Sequence, residues 1–425
     1  MTKKTDAPAI RFKGFSDAWE QRKFGEVFDC TVPNNTLSRA ELSYDEGTVL
    51  NVHYGDVLIK YGSVLDVQKD DIPRIPHRCR EDFNGALLQD GDIIIADTAE
   101  DETTGKACEI SNLQGSVIVS GLHTMVCRPR NRMALGYLGY YLNSNAYHHQ
   151  LLPLMQGIKV LSLSRSNIQK TSVSYPTAVK EQQHIAYYFS QLDNLITLHQ
   201  RKFEKLTNVK KSMLEKMFPQ NGSSYPEIRF KGFTDPWEQR KFSELVQIER
   251  GGSPRPIDDF ITDAPNGLNW IKIGDAPTQG NYITKTAEKI RPEGLSKTRE
   301  VHPGDLILSN SMSFGKPYIM GIDGCIHDGW LLIRNTYGVF DLTFLCHLLG
   351  TPQMLSQYRS LAAGSTVNNL NKELVGNTVV TIPSITEQRV LGDYLEQLDN
   401  LITLHQRELE KLQNIKKSML EKMFV

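Results

Sequence analysis

The sequence lacks the signals of several protein classes. Its six cysteines are scattered without a C-x-x-C pair, which argues against a structural zinc site or a disulfide framework and indicates a reducing cytoplasm. No apolar run of about 18 residues occurs, and the N-terminal stretch MTKKTDAPAI is polar, so neither membrane insertion nor secretion is expected. The formal net charge is only −1, so any nucleic-acid binding must rest on local basic surface.

Catalytic signatures are missing as well. The chain contains no G-x-x-x-x-G-K-[ST] loop, no H-E-x-x-H, no G-x-S-x-G elbow and no G-x-G-x-x-G after a predicted strand. His148-His149 has no partner motif, and acidic loop residues such as Asp258-Asp259 are more typical of solvated surface than of nuclease carboxylates. The sequence therefore predicts a binding protein that holds neither a metal nor a cofactor of its own.

The strongest signal that is present is a long internal repeat. Residues 191–218, QLDNLITLHQRKFEKLTNVKKSMLEKMF, return as residues 397–424 with four substitutions and no gap. No glycine or proline interrupts either copy, and apolar side chains recur at alternating steps of four and three residues, the spacing of a coiled-coil seam. We predict a helix of about 40 residues, roughly 60 Å long, at each copy.

Neither helix can bury its apolar stripe alone, and the other copy offers a matching stripe. The sequence therefore predicts two long helices packed against each other; the alternative is two surface helices that each lie on a separate domain. His199 and Lys210 fall on the seam and make it imperfect, whereas Leu195 and Leu198 lie beside it and widen the apolar face. The predicted interface residues are Leu192, Ile196, Phe203, Leu206, Met213 and Met217 in the first copy and Leu398, Ile402, Leu409, Leu412, Met419 and Met423 in the second.

A second repeat opens each half of the chain. Residues 10–24, IRFKGFSDAWEQRKF, return as residues 228–242, IRFKGFTDPWEQRKF. The Ser-Asp and Thr-Asp pairs before the tryptophans have the composition of helix N-caps and predict short helical turns that begin at Trp19 and Trp237. Phe15 and Trp19 are interpreted as packing anchors in preference to a nucleic-acid surface.

Between each opening repeat and its long helix lies a long divergent stretch with the character of a mixed α/β domain. The apolar runs GDIIIA (91–96) and SVIVSG (116–121) predict strands in the first half, as do GDLILS (304–309) and WLLIR (330–334) in the second. We predict a first domain with its opening repeat over 1–178, a long helix over 179–220, a second domain over 221–384 and a second long helix over 385–425. Near-identical helices joined to divergent domains indicate a constant scaffold that presents two different recognition surfaces.

Candidate nucleic-acid contacts lie in polar loops of the two divergent domains. Glycine lets main-chain N–H groups approach phosphate and arginine forks onto guanine edges or phosphates, which favours the loop RGGSPRP at 250–256. The alternative for each candidate is an ordinary solvated loop. The candidates are Lys60, Tyr61, Ser63, Thr98, Lys106, Arg128, Arg130 and Lys159 in the first half and Arg250, Gly251, Gly252, Ser253, Arg255, Lys272, Ser309, Ser311, Ser313, Lys316, Gly364, Ser365 and Thr366 in the second.

These motifs together resemble a known family. The duplicated helix, the opening RFKGF and WEQRKF, the GGSPRP loop and the run ITEQRVLGDYLEQLDNLI are similar to those of specificity subunits of type I restriction–modification systems, over essentially the whole chain. The resemblance implies an α+β fold with two globular mixed α/β target recognition domains, separated by two long antiparallel helices that form a coiled coil. Each domain is then expected to read one half of a split, asymmetric DNA site, with the helix length setting the spacer.

The resemblance also implies partners. The helices would dock two modification subunits, which carry S-adenosylmethionine and methylate adenine, and restriction subunits with an ATP- and Mg²⁺-dependent motor and nuclease would join that core. This chain is then expected to bind double-stranded DNA in the cytoplasm, with no membrane association and no catalysis of its own. In the first half, Gly157 and Lys159 replace the Gly-Ser-Thr pattern at 364–366, and no GGSP loop follows Phe24.

Two alternatives to a DNA-recognition subunit stay open at the level of the sequence. A coiled-coil scaffold whose globular domains bind protein predicts no salt-dependent binding to DNA. A nuclease or methyltransferase with degenerate motifs predicts turnover by the isolated chain with Mg²⁺ or S-adenosylmethionine.

Overall fold

The computed structural model of the chain describes residues 7–220, 222–310, 314–362 and 369–425. The chain forms two compact units, Met1–Leu198 with Leu409–Val425 and His199–Glu408. Each unit combines one divergent domain with part of both long helices. In the part of the chain that the structure describes, no helix is long and apolar enough to cross a membrane.

The first half of the chain consists of short strands and helices that lead into a long helix. They are β1 (Glu20–Lys23), α1 (Phe24–Val27), β2 (Phe28–Asp29), β3 (Val49–Val52), α2 (Tyr54–Ile59), β4 (Val64–Asp66), β5 (Arg74–Ile75), β6 (Ile93–Ala96), β7 (Thr98–Ala99), β8 (Ala107–Ser111), β9 (Val117–Ser120), β10 (Thr124–Pro129), α3 (Tyr137–Leu142), α4 (Asn145–His148), β11 (Leu161–Ser162), α5 (Arg165–Ile168), β12 (Ser172–Tyr175) and α6 (Val179–Lys216).

The second half repeats this plan. Its elements are β13 (Glu238–Lys241), β14 (Gln247–Arg250), β15 (Leu268–Ile271), β16 (Tyr282–Ile283), β17 (Glu288–Ile290), β18 (Arg299–Val301), β19 (Leu306–Ser309), β20 (Pro317–Met320), β21 (Gly324–Ile326), β22 (Trp330–Arg334), α7 (Leu342–Leu349), α8 (Pro352–Ala362), α9 (Lys372–Gly376), β23 (Val379–Ile382) and α10 (Ile385–Lys422).

Each divergent domain is built on a five-stranded sheet. The order is β2-β10-β6-β8-β4 in the first domain and β14-β22-β19-β20-β16 in the second, and the last strand of each runs parallel to its neighbour. A smaller sheet beside it contains the parallel pair β3–β9 or β15–β21. The strands predicted from the four apolar runs are β6, β9, β19 and β22, and these predictions are confirmed. The domains therefore share the topology of the main sheet and the parallel pair beside it, whereas the smaller sheet has three strands in the first domain and four in the second.

The opening repeats form strands and not helical turns. β1 pairs antiparallel with β12, and β13 pairs antiparallel with β23. The helix N-caps predicted before Trp19 and Trp237 are therefore wrong, because pairing with a distant strand outweighs the local preference of Ser-Asp and Thr-Asp for a helix start. The interpretation of Trp19 as a packing anchor is confirmed, since only 5% of Trp19 and 2% of Trp237 are exposed.

A buried carboxylate joins each opening repeat to the first turn of a long helix. In the first unit, Glu181 accepts hydrogen bonds from the Arg11 guanidinium at 2.7 and 2.8 Å and from Trp19 Nε1 at 3.3 Å. In the second unit, Glu387 is the acceptor of the equivalent bonds at 2.7, 2.8 and 3.3 Å. Both carboxylates are buried, so they depend on these donors in place of water.

The long helices pack against each other in antiparallel fashion. Each is 38 residues long. In the first unit, Leu192 belongs to the same hydrophobic cluster as Leu412 and Met419 of the other helix. In the second unit, Leu398 shares a cluster with Leu206. The predicted fold class, two mixed α/β domains with a pair of long antiparallel helices, is confirmed.

The predicted seam residues lie on the packed side of the helices. The buried ones are Leu192, Met217, Leu398, Ile402, Leu409 and Met423, and the half-buried ones are Ile196, Phe203, Leu206, Met213, Leu412 and Met419. Phe424, next to the last of them, stacks on Phe189 with ring centroids 5.7 Å apart, so the segment that follows α10 contributes to the core of the first unit.

The two seam positions that are not apolar are paired. His199 Nδ1 lies 3.1 Å from Nδ1 of His405, the same position in the second copy of the repeat. Lys210 forms an ion pair with Asp399, and the equivalent pair in the first unit joins Lys416 to Asp193. The lysine of each copy therefore meets the aspartate of the other. These pairs favour one register, because a slip of one helical turn would separate them.

Charge reversal tests this assignment of register. K210E places two carboxylates side by side, and the side chain of Asp399 is only 14% exposed. We expect the free energy of unfolding to fall by about 2–3 kcal/mol, which is less than the loss on breaking a fully buried ion pair. The double variant K210E/D399K is expected to recover at least half of that loss. Urea unfolding of K210E, D399K and the double variant measures the coupling energy between the two positions. Strictly additive losses would contradict an ion pair between Lys210 and Asp399.

One carboxylate is buried inside the first domain. Glu109 on β8 is 1% exposed and accepts hydrogen bonds at 2.8 Å from the N–H groups of Gly136 and Gly139 at the start of α3. The second domain has Ile319 at the matching register position, and there Asp341 caps α7 locally. Glu109 therefore serves as a long-range cap. Its burial raises its pKa from 4.5 to about 7 despite the two N–H donors.

This pKa predicts a pH dependence of stability. Between its ordinary pKa of 4.5 and about 7 the folded chain holds a proton at Glu109 that the unfolded chain releases, so stability falls as pH rises through this window. Relative to E109Q, which does not titrate, the native chain is expected to lose about 3 kcal/mol from pH 4.5 to 7. Denaturant unfolding of both proteins across this range measures the difference, and a pH-independent difference would contradict the assignment.

Candidate nucleic-acid interface

Four segments of the first domain are held together at the ends of β3, β6 and β9. Asp97, directly after β6, donates its N–H to the carbonyl of His123 at 3.1 Å and accepts from the N–H of Leu163 at 2.8 Å. Gly121 donates to the carbonyl of Val52 at 3.0 Å. We call segments 52–54, 97–98, 121–123 and 156–163 the first loop frame.

The second domain repeats this arrangement with different residues. Asn310 donates its N–H to the carbonyl of Gly329 at 3.0 Å and accepts from the N–H of Leu370 at 3.0 Å, while His327 donates to Ile271 at 3.1 Å. We call segments 271–273, 309–310, 327–329 and 369–370 the second loop frame. The two frames share their backbone hydrogen bonds and differ in their side chains.

The first loop frame carries a cluster of three rings, which belong to His53, Tyr54 and His123. His123 meets the ring of Tyr54 edge-on with centroids 5.3 Å apart, and Tyr54 lies against His53 at 4.7 Å. Asp97 Oδ1 accepts from the Thr98 hydroxyl at 2.8 Å and lies 3.5 Å from His123 Nδ1. Burial lowers the pKa of His53. The predicted contact Thr98 is thus engaged with the carboxylate that also supports His123.

The GGSPRP loop lies against the second loop frame. Gly251 donates its N–H to the carbonyl of Trp330 at 2.9 Å, and Gly252 donates to Ile326 at 3.2 Å. A Cβ at Gly251 would stand 2.2 Å from the carbonyl of His327, and one at Gly252 would stand 2.4 Å from another backbone carbonyl. Both N–H groups are used inside the domain, and contact of these glycines with DNA stays a prediction. The glycines let the loop approach the sheet.

The arginines of this loop stay at the surface. Arg250 Nε donates to the Asp328 carbonyl at 3.4 Å, and the Arg255 guanidinium lies 3.6 Å from the Asp328 carboxylate with 81% of its side chain exposed. The hydroxyl of Ser253 is buried and has no hydrogen-bond partner among the described residues. The loop lines a cleft of about 860 Å³. The lining of this cleft carries Arg255 and Lys272 as well as the carboxylates Asp258 and Glu288, and Lys272 is paired with Glu288, so the exposed guanidinium of Arg255 is the group that suits an anionic ligand.

The remaining predicted contacts fall into five groups. Four cations are engaged with acceptors of their own domain: Lys60 with Asp71, Lys106 with the Leu58 carbonyl, Arg128 with Asp92 and Lys272 with Glu288. Tyr61, Ser63 and Ser309 are buried, and Lys316 stands over the ring of Tyr318 at 4.9 Å. Arg130 and Lys159 are exposed. Ser311, Ser313, Gly364, Ser365 and Thr366 lie outside the described residues. Contact with DNA stays a prediction for each of them.

Sequence reasoning missed the ring-bearing residues His53, Tyr54 and His123 and the carboxylate of Asp97. A usable signal was present in the apolar runs, because the residue that follows GDIIIA is Asp97 and the residue that follows GDLILS is Asn310. Aligning the two halves on those runs would have marked a matched pair of positions with different chemistry. The partner of Asp97 could not be found in this way, since His123 belongs to another strand connection.

Comparison with known proteins agrees with this architecture. The profile of the family described as "Type I restriction modification DNA specificity domain" matches residues 16–208 and 234–414. The chain is 22% identical over 421 residues to the putative type I restriction enzyme MjaX specificity subunit of Methanocaldococcus jannaschii, covering 95% of this chain and 92% of that protein. It is 25% identical over 255 residues to the MjaVIII specificity subunit of the same organism, covering 57% and 59%.

Solved structures show the same fold. The S subunit of a type I restriction–modification system from M. genitalium superposes with a TM-score of 0.64 at 12% identity, covering 99% of both chains. A chain from a structure on complex assembly and conformational transition of the type I R-M system gives a TM-score of 0.52 at 17% identity, covering 95% of this chain and 96% of that one. Since the family profile spans most of both halves, this chain belongs to the family of type I restriction modification DNA specificity domains.

Proposed function

We propose that the chain is the DNA-recognition subunit of a type I restriction–modification complex and that each domain reads one half of a split, asymmetric DNA site. The observation that carries this proposal is the pair of loop frames. They share one set of backbone hydrogen bonds but present Asp97 and His123 in one domain and Asn310 and Gly329 in the other. A reader with identical surfaces would match a palindrome; two different surfaces on one scaffold match an asymmetric site.

The long helices set the spacer between the half-sites and dock two modification subunits that methylate adenine. Leu195 and Leu198 are 43% and 46% exposed, and the equivalent Leu401 and Leu404 are 43% and 52% exposed. Apolar side chains left exposed at the same positions of both copies support two equivalent binding sites for one kind of partner. The partner subunits supply S-adenosylmethionine, ATP and Mg²⁺, and restriction subunits complete the complex in the cytoplasm.

The test is genome-wide mapping of methylated adenine in a host that expresses this chain with its modification subunit, against a deletion of this chain. A split motif that disappears on deletion is expected. Replacing residues 30–155 with the first domain of another family member is expected to change only the first half-site. Unchanged methylation after deletion would favour the protein-binding scaffold. Activity of the isolated chain with Mg²⁺ or S-adenosylmethionine would favour a degenerate enzyme.

Binding measurements separate the DNA reader from the scaffold. The DNA complex is expected to weaken steeply with salt, by about 0.9 in log–log slope for each phosphate contact. Two half-sites read together are expected to give a preference of roughly 10³ or more over random DNA. Titration of a fluorescent duplex at several salt concentrations measures both quantities, and an affinity independent of salt would contradict the proposal.

A further inference from the structure

His123 holds a backbone conformation that disfavours any residue with a Cβ. Its φ is +52°, in the left-handed region. The matching position of the second loop frame is Gly329, whose carbonyl accepts the same backbone hydrogen bond without a left-handed φ, so this hydrogen bond does not itself require the strained conformation of His123. Backbone strain of this kind is concentrated at functional sites, and what distinguishes His123 from the other strained residues of this domain is the setting of its side chain.

The imidazole of His123 is supported on one side and open on the other. Asp97 Oδ1 lies 3.5 Å from Nδ1, and the ring rests edge-on against Tyr54. The carboxylate at ion-pair distance from Nδ1 and the ring contact with Tyr54 together restrict the imidazole and leave Nε2 for another partner. Nε2 has no hydrogen-bond partner in the ranges that the structure describes, and 48% of the side chain is exposed. The group is therefore oriented but unused within the domain.

The charge around His123 indicates which part of DNA it meets. The Asp97 carboxylate at 3.5 Å would repel a phosphate, whereas a base edge carries no net charge. An imidazole Nε2 can hydrogen-bond to a base edge in a groove as donor or acceptor. In the second domain the corresponding turn carries Asp328, which contacts both Arg250 and Arg255 of the GGSPRP loop. The same turn thus lies next to a predicted DNA-contacting loop in the other domain.

We propose that His123, positioned by Asp97 and Tyr54, contacts a base edge in the half-site read by the first domain and determines the base pair accepted at that position. The inference rests on the proposed function and extends it to a specificity-determining residue. Tyr54 and Asp97 act as positioning residues, because they orient the ring and do not themselves need to reach the base.

The test uses the full chain in its complex with the modification subunit. H123G relieves the left-handed strain and removes the imidazole, whereas H123N retains a side chain that tolerates this conformation but is shorter. Both are expected to relax one position of the first half-site, with about tenfold weaker discrimination there, and to leave the second half-site unchanged. The melting temperature of H123G is expected to equal or exceed that of the native chain, which a merely structural histidine would not allow.

Q114G is the matched control. Gln114 is also a non-glycine residue with a positive φ, +44°, in the same domain, on the turn between β8 and β9 and outside the first loop frame. It is expected to leave the methylated motif unchanged. An unchanged motif in H123G would overturn the inference, as would an equal loss of affinity for all sequences, which marks a phosphate contact. Failure of the native chain to direct any split motif would instead refute the proposed function.

Discussion

Replacing Glu387 by alanine is expected to lower the free energy of unfolding of the second unit by about 3–5 kcal/mol. The change removes the acceptor of hydrogen bonds from Arg229 and Trp237 and leaves the Arg229 guanidinium, 15% exposed, without its counter-ion. E387Q is expected to cost less, because its amide oxygen still accepts a hydrogen bond. Urea unfolding of the full chain, followed by tryptophan fluorescence, measures both losses.

The chain provides its own control for this experiment. Glu181 has the same contacts in the first unit, so E181A is expected to produce a similar loss there. The double variant R229M/E387M is expected to be more stable than E387A, because it leaves no buried charge unpaired. An unfolding curve for E387A that matches the native chain, or a double variant as unstable as E387A, would show that the Glu387 carboxylate does not hold the opening repeat to the long helix.

Lengthening both long helices by one heptad is expected to lengthen the spacer of the methylated motif by about three base pairs. Seven residues add about 10.5 Å of helix, and B-DNA rises by about 3.4 Å per base pair. One insert between Leu198 and His199 and another between His405 and Gln406 would face each other in the antiparallel pair, because His199 meets His405. A heptad preserves the apolar seam. Methylation mapping reads the spacer, and both half-sites should stay the same.

The linker between the halves supplies the control for helix length. A seven-residue insert next to Gly222, which follows α6 and precedes β13, adds chain without adding helix. It is expected to leave the spacer unchanged. A heptad inserted into α6 alone is expected to disturb assembly, because the lysine–aspartate pairs of the two units could no longer form together. An unaltered spacer in the chain with both inserts would refute the proposal that the length of the long helices sets the spacer.

Much of the scaffold could be predicted from the sequence because its signals are local and repeated. Apolar residues at alternating steps of four and three, without glycine or proline, predict a helix from local sequence alone. A second copy of the same apolar stripe indicates the packing partner of that helix. The strands β6 and β19 were also visible, since a short apolar run between turn residues is typical of a buried strand.

Local sequence patterns gave wrong or incomplete predictions where a contact with a distant segment determines the structure. The residues after Trp19 and Trp237 looked like helix starts, but β12 and β23, far along the chain, pair with them as strands. The imperfect seam position Lys210 looked like a flaw and is half of an ion pair whose other half, Asp399, lies in the second copy. In each case the partner is absent from the local window from which a prediction is made.

The sequence by itself determined the duplicated plan, the two long helices, the central strands and the family. Only the tertiary structure decided which loops meet. Asp97, His123 and Tyr54 lie on three separate strand connections, and it is the pairing of the sheets that brings them into one frame. Loop clusters of this kind have no periodicity in the sequence, because their residues are brought together by backbone hydrogen bonds between segments that are distant in sequence.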